Sequence, residues 1–124
     1  MKKLILLLLF ISSVSFGLFA QENELNELVQ VTKQGLNETK EVSYHNSPAV
    51  LQVDHYLIPI SPNTHVKLKK EKKNYSVWFA LQNGTGVTST IDAQWRRASF
   101  ELTFTSKQAA NNFIRVFEDV VDKN

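Results

Sequence analysis

The most regular hydrophobic pattern lies in the last quarter of the chain. In SFELTFT (residues 99–105), Phe100, Leu102 and Phe104 alternate with polar positions, the period of a half-buried strand. Without a loop, the period then becomes helical. Ala109, Ala110, Phe113, Val116, Phe117, Val120 and Val121 share one face, and Asn111, Asn112, Arg115, Asp119 and Asp122 the other. Thr105 and Gln108 stand at the spacing of a capping box, with Phe104 placed to staple onto Ala109. Burying Phe113, Val116, Phe117, Val120 and Val121 contributes roughly 8–15 kcal/mol gross, an upper bound. This helix is expected to close a core.

Upstream, short β-rich pieces alternate with turn residues. TKEVSYH (39–45) precedes the turn Asn46-Ser47-Pro48, and VLQVDHYLIPI (50–60) reads as one long run with Pro59 bending its end. After Ser61-Pro62-Asn63, HVKLKK (65–70) sets Val66 and Leu68 against lysines, and residues 70–74 form a charged hairpin turn. YSVWFALQ (75–82) is the clearest strand: Tyr75, Val77, Phe79 and Leu81 on one face, Ser76, Trp78 and Ala80 on the other. Asn83-Gly84 is the strongest hairpin signal, with residues 87–91 as its return strand. DAQWRRA (92–98) reads as a loop.

Residues 21–38 form a narrower helical stripe of Leu25, Leu28, Val29, Thr32 and Leu36, with Asn23 as cap and Gly35 near the end. A helix this marginal needs a surface to lie on. The outer face of the 75–82 strand, with Trp78 and Ala80, is the expected one.

The N-terminus changes how the composition is counted. Lys2 and Lys3, the apolar run Leu4 to Ile11 and the small residues after it have the layout of a secretory signal peptide. Cleavage is expected after Ala20, with Gly17 as the alternative. That divides the chain into a signal peptide, 1–20, and a single α+β domain, 21–124, with no membrane span after cleavage. Two of the 14 basic side chains are Lys2 and Lys3, which leaves 12 against 12 acidic ones. A neutral domain offers no global attraction to nucleic acid. With no cysteine in the chain, thiol catalysis, Cys-ligated zinc and disulfide staples are excluded.

Strands from about residue 40 to 105 that run straight into a helix resemble a pleckstrin-homology-type architecture. The resemblance is carried by Phe100, Leu102 and Phe104, then Phe113, Phe117 and Val120-Val121. The same ending is similar to that of small exported bacterial proteins of unknown function. The resemblance implies an α+β fold. An antiparallel bent sheet or partly open barrel of about six or seven strands would be capped by the C-terminal amphipathic helix, with an N-terminal helix added. The family's helix faces the barrel with a Trp where this chain has Phe117. Its basic hairpin comes first, whereas here Lys67 to Lys73 come later. Its lipid chemistry is therefore not carried over.

Few residues point to chemistry. His45, His55 and His65 are ten apart, no recognised ligand spacing, and are expected to be unrelated. Gly84-Thr85-Gly86 is followed by a β-rich run rather than the helix a phosphate loop needs. No nucleophile motif or carboxylate pair stands out, so neither an enzyme nor a cofactor is expected. Two features suit binding. Trp95, Arg96 and Arg97 are residue types of interface hot spots. Lys67, Lys69 and Lys72 belong to a basic hairpin fit for an anionic envelope component, or simply for protecting a strand edge. The expected function is binding of an envelope or secreted partner, and the alternative is a small apolar ligand carried between sheet and C-terminal helix.

Overall fold

The computed structural model describes residues 22–123, so the targeting segment read in residues 1–20 lies outside the described residues. Helix α1 covers residues 22–35. It is followed by β1 (Val42–His45), β2 (Val50–Val53), β3 (Tyr56–Pro59), β4 (Thr64–Glu71), β5 (Asn74–Leu81), β6 (Val87–Ser89), β7 (Arg96–Arg97), β8 (Ser99–Phe104) and helix α2 (Lys107–Lys123). All pairings are antiparallel. The strands form a five-stranded sheet, β1-β2-β3-β6-β7, and a three-stranded sheet, β4-β5-β8, with no closed barrel. The expected class, α+β with a C-terminal helix, is the one observed.

The two sheets are two halves of one bent meander. Tyr56 stands opposite Ser89 in β3–β6, and Thr64 opposite Leu81 in β4–β5. Eight positions separate each pair of residues along its own strand, so one register runs through the break. The third pass differs: Ala80 stands opposite Ser99 but Val87 opposite Arg97, so five extra residues loop out between β5 and β6 on that side. Only Ala98 lies between β7 and β8, and its carbonyl accepts the Leu81 N–H at 2.8 Å. Two turns laid side by side make the corner. Gln82 N–H donates to Asn63 O at 2.9 Å, and Asn83 Nδ2 to Asn63 Oδ1 at 2.8 Å.

This corner corrects the hairpin expected at Asn83-Gly84. Both residues take the positive φ that such a turn requires, 56° and 77°. Yet residues 87–89 do not return along β5. Both edges of β5 are already taken by β4 and β8, so the chain moves on to pair with β3 and β7. The run 50–60 is corrected too. It folds back on itself, with Val53 opposite Tyr56 and Asp54-His55 as the turn. Asp54 adopts φ 52° and is held there by its neighbours: Glu41 N–H donates to its Oδ1 at 3.1 Å, and Lys40 Nζ lies 3.3 Å from Oδ2.

A single core unites these parts. Val77, Phe79 and Leu81 of β5 meet Leu102 and Phe104 of β8, Leu51, Val53 and Ile58 of the other sheet, and the α2 stripe of Ala110, Phe113, Val116, Phe117 and Val120. Phe79 packs edge-on to both Phe113 and Phe117, centroids 5.8 Å apart. These rings are all fully buried. The cap of α2 is Ser106 rather than Thr105. Ser106 Oγ accepts the Ala109 N–H at 3.1 Å, because Thr105 is still bound as strand, its N–H donating to Gly35 O at 2.8 Å.

Helix α1 buries the expected face of Leu25, Leu28, Val29, Thr32 and Leu36, but against a different surface. Asn23, expected to cap it, lies inside the helix. It runs antiparallel beside α2: Glu24 pairs with Lys123, Glu27 with Arg115 at 3.8 Å, and Leu36 bridges to Phe104. Trp78 faces away from α2 and is not covered by α1. The outer face offers α1 mostly polar side chains, whereas α2 and Phe104 offer an apolar flank. Gly35 permits that approach, since a Cβ there would fall 2.7 Å from Phe104 Cδ1 and 3.2 Å from Ala109 Cβ.

Gly35→Ala is therefore expected to destabilise by about 1–3 kcal/mol in denaturant unfolding, outweighing the gain of about 1 kcal/mol in helix propensity. Ser106→Ala should cost about 1 kcal/mol and Thr105→Ala little, which separates the observed cap from the expected one. The hydrogen bond to Glu24 and its charge raise the Lys123 pKa. That contribution is complete below the free lysine value of about 10.4 and lost as pH rises through the folded-state value. Lys123→Met should therefore flatten the alkaline fall in melting temperature.

Candidate functional site

Trp95 is positioned by the loop between β6 and β7. Asp92 Oδ1 accepts the Gln94 N–H and Asp92 O the Trp95 N–H, both at 3.1 Å, forming a tight side-chain-stabilised turn. Thr90 N–H donates to His55 O at 2.8 Å, which ties this loop to the β2–β3 turn. Ring packing follows from that tie. The Trp95 ring lies 5.1 Å from Tyr56 and 6.5 Å from Phe100, Tyr56 lies 5.0 Å from Phe100, and His55 leans on Tyr56 at 4.0 Å. Phe100 continues to Phe79 at 6.3 Å. A row of rings thus runs from the surface into the core.

Arg97 lies over the outer side of Trp95, its guanidinium carbon 5.2 Å from the ring centroid, and also donates to Arg96 O at 2.9 Å. Arg96 lies across Gly86, where a Cβ would fall 2.7 Å from its Nε. Beside these rings is an open cleft of about 160 Å³ lined by His55, Tyr56, Ser89, Ile91, Asp92 and Trp95. Ile91 is 76 % exposed at its edge.

Sequence reasoning singled out Trp95, Arg96 and Arg97 but missed His55, Tyr56, Ile91 and Phe100. Ile91 carried a signal, as the one large aliphatic in the polar stretch TSTIDAQ. Tyr56 carried none, because its neighbours are set by the unexpected turn at Asp54-His55. The basic hairpin is elsewhere. Lys72 lies beyond the Asn74 end of β5 and Arg96 beyond the Leu81 end, with an eight-residue strand between them, on the order of 25 Å. Lys67 and Lys69 flank Trp78 instead, Lys69 Nζ lying 5.1 Å from the Trp78 centroid and 2.9 Å from Glu71 Oε1. Glu71 raises the Lys69 pKa, first by hydrogen bonding and then by charge.

Ser89, His55 and Asp92 line one cleft, yet each is engaged elsewhere. Ser89 Oγ accepts the Ile91 N–H at 3.2 Å, Asp92 Oδ1 is engaged by Gln94, and the His55 ring packs at a tilt against Tyr56. The nucleophile–base hydrogen bond of a catalytic triad is not formed. His45 bonds Gln52 at 2.6 Å on β1, His65 stands on β4, and no metal-competent group of His or carboxylates gathers among the described residues. No helix among the described residues is long and apolar enough to cross a membrane. No family model matches the chain, and neither does any curated protein or solved structure.

The packing alters how the site can be probed. Trp95→Ala removes ring contacts to Tyr56 and Phe100, so it should lower stability by about 0.5–3 kcal/mol. Ile91→Asp should stay within about 0.5 kcal/mol of the parent protein, because Ile91 is mostly exposed. Thermal unfolding of both variants checks this difference.

Proposed function

We propose that the protein is an exported, non-enzymatic domain that binds another exported or envelope protein through the Trp95 surface. One observation carries the reading: exposed Ile91 borders a cleft walled by Trp95 and Tyr56, with Arg97 on the Trp95 ring. A lone exposed isoleucine would need no explanation. Beside half-buried aromatic rings and an arginine, it completes the apolar centre and charged rim of a protein-binding hot spot. The rings are anchored through Phe100 to the core, so little ordering is required on binding. Export rests on the charged, apolar and small-residue layout of the first twenty residues.

Ile91→Asp combined with Arg97→Glu tests the site. A crosslinked partner from the exported fraction should be lost in this variant and retained in Lys67→Glu, with the melting temperature of each unchanged. Retention of the partner by the double variant would reject this surface. Mass analysis of the protein recovered outside the cytoplasm tests export independently, with Gln21 or Leu18 expected as the first residue.

A further inference from the structure

We propose a second binding site, at which the free edge of β4 takes up an extended acidic segment of a partner protein as an added strand. β4 is eight residues long and outermost in its sheet, so its outer row of backbone N–H and C=O groups has no ladder partner among the described residues. Lys67 and Lys69 point to the outer face beside Trp78, and Lys72 and Lys73 form the turn that follows. Two copies of this edge would set lysine against lysine, which opposes self-pairing. An acidic strand is attracted to the same edge.

The other face of the strand narrows the chemistry. A groove of about 230 Å³ runs between β4 and the C-terminal half of α2, lined by Thr64, Val66, Phe117, Glu118, Val121 and Asp122 among others. Thr64 Oγ1 is the one buried side-chain oxygen without a hydrogen-bond partner among the described residues, and Thr64 lines this groove. Strand alternation would send every second guest side chain to the lysine face and the rest into the groove. Acidic residues suit the lysine face. Apolar ones suit the groove, where half-buried Val66 and Val121 offer apolar contact and exposed Glu118 and Asp122 repel acids. An anionic polymer could meet the lysines but would leave both the backbone edge and the groove unused. A polypeptide is therefore favoured.

A capped peptide of about six residues, alternating Glu with Val, is the probe, matched to the length of a typical strand. It should bind the purified protein, raise amide hydrogen-exchange protection in β4 and change Trp78 emission. Lys67→Glu with Lys69→Glu should weaken binding about tenfold, and a Lys-Val peptide should regain it on that variant. An analogue with backbone N-methylation at alternate residues keeps the charge but cannot pair, and should not bind. Binding of that analogue or of polyphosphate as tightly as the Glu-Val peptide would overturn the proposal. So would peptide binding without protection in β4, or no binding at all.

Discussion

Phe79 is the contact on which the other parts converge. Its ring touches Phe113 and Phe117 on α2 and Phe100 on β8, and it is fully buried. The chain has no cysteine, so no covalent staple shares this role. A domain of this size has a modest core, and a central aromatic that joins sheet to helix supplies a large part of its specificity through ring geometry. Phe104 against Phe113 at 5.3 Å extends the same packing to the strand against which α1 rests. Tyr56 and Trp95 reach the same packing through Phe100. A loosening at Phe79 would thus be felt at helix docking and at the surface rings alike.

Closing that core requires the sheet to bend. A flat meander could not place both Ile58 of β3 and Val77 of β5 against one pair of helices. The bend falls where three chain passes each weaken their pairing: after Pro59, across Gln82 to Gly86, and at Ala98. Proline lacks a ladder donor, and the Asn-Gly turn loops out five residues relative to the β7–β8 pass while the register against β3 and β4 is kept. The same bend separates the two charged surfaces. Arg96 and Arg97 lie on one half, and the β4 lysines on the other.

Legibility in the sequence tracks how local the determining forces are. The α2 stripe and the strand faces of 75–82 and 99–104 were readable, because burial imposes a period on contiguous residues. The buried face of α1 was readable for the same reason, but not its partner, which depends on the missing Cβ of Gly35 meeting Phe104, almost seventy positions away. The Asp54-His55 turn was hidden because its positive φ is sustained by Lys40 and Glu41 rather than by a glycine. The cap moved one residue because the backbone of Thr105 is claimed by Gly35. In the candidate site, Trp95, Arg96 and Arg97 were visible as residue types. Tyr56 and Ile91 joined them only through a turn and a bend that no local pattern records.

The roles of the two tryptophans follow from which face of the bent sheet each occupies. Trp95 lies against Tyr56 and Phe100, so its orientation is set by packing that reaches the core, and its exposed edge is rigid. Trp78 stands on the outer face, where Lys67 on one neighbouring strand and Glu101 on the other stand opposite it, and its ring is covered by the Lys69 side chain. A lysine over an aromatic ring at an exposed site is held by about 0.5–1 kcal/mol, little enough to be displaced by a guest. The Trp95 surface is pre-formed and suited to shape, whereas the Trp78 surface is adaptable and suited to charge.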